Sequence, residues 1–198
     1  MNRNDLNPEL REGIAPEPCI GVLELCSIAR GVEVADAMLW ESKVELLFAT
    51  PVQPGKYAIL LTGGVQDVRS SLQRGAAVAE SDLVDQVLIP QVHEQILPML
   101  RRNGGTINGH LDAVGVVETT TIASTVQAAD AALKRASVDL LDMRVANGLG
   151  GKSFFTLTGE VSDVRAAVGA GAESAESAGK LARQVVIPRP HADLVFHL

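Results

Sequence analysis

The sequence predicts an α/β (α+β), ferredoxin-like architecture built twice, as two tandem domains that each run β-α-β-β-α-β. Three observations predict it. First, the 198-residue chain repeats itself: Gly21-Val22-Leu23-Glu24 returns as Gly115-Val116-Val117-Glu118, Ala35-Asp36-Ala37 as Ala129-Asp130-Ala131, and Leu61-Thr62-Gly63 as Leu157-Thr158-Gly159. The spacing is 94 residues early, 96 in the middle, and 98 at the Pro90/Pro188 and His93/His191 pairs. Both halves therefore fold as one unit type, with small loop insertions between matched segments. A period this long means sister domains, because solenoid repeats run about 20–50 residues. Second, short β-rich apolar runs alternate with helical periodicity in each half. Third, aromatics make up only 3 % while small apolar residues abound, which suits helices packed closely on a sheet.

The elements follow in order. Residues 1–17 are polar and punctuated by Pro8, Gly13 and Pro16, and read as a flexible arm. Cys19 to Leu25 is an almost continuous apolar run, the mark of a buried strand. Ser27 is placed to cap a helix whose apolar positions Ile28, Val32, Ala35 and Leu39 fall at helical spacing. Lys43 to Val52 is β-rich, Pro54-Gly55-Lys56 is a turn, and Tyr57 to Gly63 is the third strand. Gly63-Gly64 breaks it, a helix follows from Val65, and Leu83 to Ile89 closes the domain against Pro90. The second half repeats the series at 113–119, 122–136, 138–146, 153–159, 161–179 and 182–188. The domains span 18–96 and 113–198. The linker 97–112 has its likeliest hinge at Asn103-Gly104-Gly105.

Composition narrows the function. A net charge of −7 argues against a general nucleic-acid binder, which needs a basic face. Few aromatics leave little to stack bases on. No run approaches the ~18 apolar residues of a membrane span, and the first residues lack the apolar core of a signal peptide, so a cytoplasmic, reducing setting is expected. Cys19 and Cys26 lie seven apart, on opposite faces of one strand, and read as small buried hydrophobes rather than a disulfide. His93 and His191 are repeat-related, His110 falls in the linker and His197 near the end. None has metal-ligand spacing, and no Ser-His-Asp or Cys-His set stands out. The duplicated acids Glu24/Glu118, Asp36/Asp130 and Asp67/Asp163 read as structural hydrogen-bonding or capping groups.

The string Ala146 to Ser153 fits a relaxed phosphate-loop pattern. Such a loop needs a helix immediately after its Lys-Ser. Here Ser153 to Gly159 reads as a strand, so nucleotide binding is not expected.

The ordered marks Gly-Val-x-Glu, Ala-Asp-Ala, the Gly-Lys loop, Thr-Gly-x-Val-x-Asp-Val-Arg and the closing Ile187-Pro188-Arg189-Pro190-His191 resemble the bacterial microcompartment shell domain. They occur in order twice, over about 19–93 and 113–191, with the closing motif reduced to Ile89-Pro90 and His93 in the first copy. The chain is similar to the tandem, unpermuted branch of the propanediol-utilisation type. The resemblance implies a homotrimer that mimics a hexamer, since two fused domains need only three chains to make six. It also implies tiling with hexamers and pentamers into a shell around encapsulated enzymes, with neither catalysis nor membrane nor nucleic-acid binding.

The resemblance further assigns residues. Gln53, Pro54 and Gly55, with Gly148, Leu149, Gly150 and Gly151, are implied to line a central pore that passes small metabolites. Lys56 and Lys152 follow these loops and would lend the mouth positive potential. Some tandem relatives carry a cysteine where Gln53 stands, and three such thiolates hold an iron–sulfur cluster. An amide is no such ligand, so no cofactor is expected. Lys134, Arg189 and His191 are implied to form the tiling edge. The first domain departs there: Trp40 stands for Lys134, and Gln91-Val92-His93 for the Arg-Pro-His triplet. Trp40 reads either as core packing or as an edge anchor. The rival from another class is a small-molecule-binding sensor or regulatory trimer, with ligand at a domain interface away from the axis.

Overall fold

A computed structural model describes residues 19–100, 111–145 and 148–195. The arm, the Asn103-Gly104-Gly105 hinge, His110 and His197 lie outside the described residues.

The first half runs β1 (Ile20–Leu25), α1 (Ile28–Glu41), β2 (Val44–Val52), β3 (Lys56–Gly63), α2 (Val65–Ala79) and β4 (Leu83–Ile89). A short helix, α3 (Ile96–Leu100), follows. The second half runs β5 (Ala113–Thr119), α4 (Ile122–Arg135), β6 (Asp139–Arg144), β7 (Ser153–Gly159), α5 (Val161–Ser177) and β8 (Leu181–Pro188), with a turn of helix, α6 (Ala192–Val195), after it. The predicted β-α-β-β-α-β order holds in both halves. Each makes a four-stranded antiparallel sheet, ordered β2-β3-β1-β4 and β6-β7-β5-β8. Even the irregularities are duplicated. The register shifts at Glu24/Leu25 and Leu46/Phe48 recur at Glu118/Thr119 and Leu140/Asp142. Bulges are built features of a strand pair, so the repeat extends to backbone detail.

Local chemistry explains the helix starts. The Ser27 hydroxyl accepts from the Arg30 N–H at 3.3 Å and the Thr121 hydroxyl from the Ser124 N–H at 3.3 Å, one hydroxyl cap per domain. Asp67 and Asp163 sit in the first turns of α2 and α5, where a carboxylate opposes the positive end of the helix dipole.

The first sheet is covered on both faces, which is why β1 is buried at every position. Side chains alternate along it. Leu23 and Leu25, with Ile59 and Leu61, join Val34, Met38, Val68 and Leu72 of α1 and α2. Ile20 and Val22, with Leu60, Val87 and Ile89, join Ile122, Val126 and Ala129 of α4, which belongs to the second domain. The segment expected to be plain linker begins as α3, whose Ile96, Met99 and Leu100 enter this same core. Apolar residues in a connection fold onto whatever apolar surface the neighbouring domain offers, and that surface cannot be read from the connection itself.

The two halves are not equally covered. In α4, Ile122, Val126 and Leu133 are 4 %, 1 % and 5 % exposed; their repeat partners in α1, Ile28, Val32 and Leu39, are 43 %, 56 % and 40 % exposed. Val87 of β4 is buried, whereas its partner Val185 of β8 is exposed.

Candidate functional site

Two features carry the predicted function: the seam where α4 meets the first sheet, and the turn loops that precede β3 and β7. The seam is polar at its ends and apolar in the middle. At one end, Glu24 is the only ionisable residue in the otherwise apolar β1. Its Oε1 receives the Lys56 ammonium at 2.8 Å, and its Oε2 accepts from the Ile122 N–H at 2.8 Å. A buried carboxylate is tolerated only with such partners. Here it ties β3 to the start of α4, where the free N–H groups of a helix need acceptors. Beside it, Asp85 of β4 accepts from the hydroxyls of Thr121 and Ser124.

At the other end, Asp130 accepts from the His93 N–H at 2.8 Å and pairs with Lys134 at 2.6 Å. Lys134 also donates to the Gln91 carbonyl. Gln95 accepts from the Leu140 N–H at 2.7 Å, extending the seam to β6. Lys134, expected at an outer edge, is thus engaged across the junction of the two domains of its own chain.

The turn loops meet. The Gln53 Oε1 accepts from the Gly148 N–H at 2.8 Å. A Cβ on Gly151 would lie 2.9 Å from Pro54 Cδ, and Gly151 has φ +89. Glycine is therefore required there twice over, by conformation and by the close approach. Gln53, Pro54, Gly55, Gly148 and Gly150 are exposed, and Leu149 is half-buried. The structure brings the two predicted loops together, one from each domain.

The positive mouth needs correction. Lys56 is held by Glu24 at 2.8 Å and Lys152 by Glu118 at 2.7 Å. Each ammonium is neutralised by the duplicated glutamate, so these lysines give the loops little net positive field. The glutamates read as structural from the repeat are the partners. The Ala146–Ser153 string leads into β7, a strand, so no helix N-terminus meets a phosphate there. Cys19 is buried and Cys26 exposed, at opposite ends of β1. Neither cysteine is in a turn loop, and Gln53 offers an amide where a cluster ligand would be a thiolate. Among the described residues no group of three or more His, Cys, Asp or Glu could hold a metal ion, and no described helix is long and apolar enough to cross a membrane.

The remaining edge residues face solvent. Trp40 is 84 % exposed, which removes core packing as its role. Arg189 and His191 are also exposed, and the His191 Nδ1 lies 3.6 Å from Asp193. Reading the sequence alone misses Asp85 and Gln95 as seam residues, because neither has a polar counterpart of the same kind in the other half.

Comparison with known proteins agrees with this architecture. The family model described as the BMC domain matches residues 19–92 and again 113–190. The bacterial microcompartment shell protein PduT of Citrobacter freundii is 41 % identical over 175 residues, covering 88 % of this chain and 94 % of its own. The carboxysome assembly protein CcmO of Synechococcus elongatus is 32 % identical over 189 residues, covering 90 % of this chain and 68 % of its own. The crystal structure of a microcompartment protein from Desulfitobacterium hafniense superposes with a TM-score of 0.75 at 45 % identity, over 89 % of this chain and 97 % of that one.

Proposed function

This chain belongs to the BMC-domain family of bacterial microcompartment shell proteins, and from that premise we propose that three copies close into a pseudohexameric tile of such a shell. One observation carries the reading. Within the chain, α4 covers β1 and β4 of the first sheet. The equivalent helix α1 and the equivalent strand β8 are left open, one in each domain. An open helix on one domain and an open sheet on the other make a heterologous pair, which closes into a ring when the rotation fits. If α1 covers β5 and β8 of the next chain as α4 covers β1 and β4, three chains give six equivalent seams. Ile28, Val32 and Leu39 are 43 %, 56 % and 40 % exposed, so burying the rest of each contributes roughly 1 kcal/mol toward offsetting the entropy lost on association.

In that ring the loops of Gln53-Pro54-Gly55 and Gly148–Gly151 surround the axis. Their backbone groups and the Gln53 amide make a polar lining, with the neighbouring ammonium groups already paired. The passage is therefore suited to small polar metabolites without strong selection for anions, and it carries no cluster. The tile is not an enzyme. It resides in the microcompartment shell, beside other shell proteins and the enzymes they enclose.

Sedimentation equilibrium and negative-stain electron microscopy of the purified protein test this reading. The expected result is a three-chain mass and discs with pseudo-sixfold outline. Monomers or dimers that bind a small molecule saturably between the domains would instead support a sensor and sink the tile. Replacing Gln53 by Trp is expected to reduce flux through assembled shells while leaving the three-chain mass unchanged.

A further inference from the structure

We infer that Trp40 and the partner subunit's Arg189 are matched residues of the seam between protomers, and that together they replace what Lys134 does in the seam within the chain. The inference rests on the trimeric reading above.

Helices α1 and α4 superpose in sequence without a gap, so Asp36 stands for Asp130 and Trp40 for Lys134. By the same repeat, Arg189 stands for Gln91 and His191 for His93. The inner seam holds one acid and one cation, both on the helix: Asp130 takes the His93 N–H at 2.8 Å and the Lys134 ammonium at 2.6 Å. The facing loop residue, Gln91, is neutral and offers its carbonyl to Lys134. In the outer set the charge has changed sides. The helix keeps the acid, Asp36, but its i+4 neighbour is the neutral Trp40. The loop now carries the cation, Arg189.

Neither charge is answered by a described residue of its own chain. Among the described residues, the Asp36 carboxylate and the Arg189 guanidinium make no ion pair or hydrogen bond. By the repeat the partner subunit's His191 brings Asp36 the N–H that His93 gives Asp130, and the carboxylate then lacks only the cation that Lys134 supplies in the inner seam. The partner subunit's Arg189 is the residue the repeat delivers to that spot. Its planar guanidinium can pair with the acid and stack on the indole at once.

The backbone agrees with a match between side chains rather than a copied carbonyl contact. Arg189 has φ +48, and Gln91 is not in that left-handed region, so the loop carbonyl that receives Lys134 is not reproduced. The matched pair also makes the two seam types distinguishable. A protomer that docks out of register would set Trp40 against Gln91, or Lys134 against Arg189, leaving an acid without its cation or two cations together.

The test is a double-mutant exchange read by the monomer–trimer midpoint in sedimentation at low salt, with circular dichroism to confirm the fold of each variant. Trp40→Lys puts a second cation beside Arg189, and Arg189→Gln removes the cation that answers Asp36. Each is expected to raise the midpoint by about tenfold. Trp40→Lys combined with Arg189→Gln rebuilds the residue set of the inner seam, and is expected to return to within about threefold of wild type. Trp40 is the sole tryptophan, so its emission should shift to the blue on assembly, and Arg189→Gln should change the emission of the assembled form. A wild-type trimer whose midpoint is unmoved by both single changes, or whose double variant is as weak as the two losses combined, overturns the pairing alone. A wild-type chain that never forms a trimer overturns the tile reading instead.

Discussion

Helices α1 and α4 occupy the same place in two copies of one fold, yet α4 is closed over a neighbouring sheet while the corresponding face of α1 lies open. The apolar residues are equivalent: Ile28 with Ile122, Val32 with Val126, Leu39 with Leu133. A stripe that is core in one copy and surface in the other is not an accident of composition. In the proposed trimer this stripe is the counterpart of the inner seam, made with another chain. On that proposal the fused duplication contains a template of its own assembly. The differences between the copies are instructive too. Gly31 admits the ring of Tyr57, whose Cγ would lie 2.3 Å from an added Cβ. In the second domain the corresponding residues are Thr125 and Ser153, both buried. The same space is filled from the strand in one copy and partly from the helix in the other.

The comparison breaks most readily at its apolar centre. Val126→Asp is expected to destabilise the chain by more than about 4 kcal/mol, because it buries an unpaired charge in the core. Val32→Asp should leave the chain's secondary structure intact and yield monomers. Circular dichroism melting with light scattering separates the two, and equal unfolding by both changes would contradict the asymmetry. Next in size are the duplicated glutamates. Glu24→Ala removes a carboxylate held by both an ammonium and a helix N–H, and should cost about 3–5 kcal/mol in urea unfolding. Glu118→Ala, whose partner Lys152 is largely exposed, should cost less than about 1 kcal/mol in a monomeric background.

Smaller effects sharpen the packing contrast. Gly31→Ala should cost about 1–3 kcal/mol through overpacking against Tyr57. In a Tyr57→Ser background, where the ring is gone, the same Gly31→Ala change should cost little or nothing in thermal unfolding. An equal cost in both backgrounds would mean that the two sites do not exchange volume. The smallest effect belongs to Gln53→Ala, which removes the acceptor for the Gly148 N–H. It should cost no more than about 1 kcal/mol and appear as faster hydrogen exchange at that amide with little change in melting temperature.

Much of the fold is legible in the residues. Turn chemistry at Pro54-Gly55, the cap at Ser27 and the stop at Pro90 delimit elements by local sterics and hydrogen bonding, and the repeat checks each one a second time. The strand after Lys152 is legible for the same reason, which disposes of the phosphate-loop pattern. The structural role of Glu24 follows from its duplication. Its partners do not, because Lys56 and the Ile122 N–H approach it from another strand and another domain. The same holds for Lys134 with Gln91 and for Gln53 with Gly148. Neither member of these pairs carries a mark of the other in its neighbouring sequence.

The sequence by itself determined that this protein is one domain made twice, which elements build it and in what order, and that Gln53 cannot serve where a relative would place a thiolate. Those conclusions rest on periodicity, turn stereochemistry and donor chemistry, which act over a few residues. Tertiary structure alone decided that α4 covers the sheet of the other domain while α1 waits uncovered, and that both loop lysines are neutralised. It also decided that Lys134 joins two domains, with Trp40 left at the surface. These depend on which surfaces meet across about a hundred residues of chain, where packing and charge pairing are settled by the whole fold and not by the neighbours in sequence.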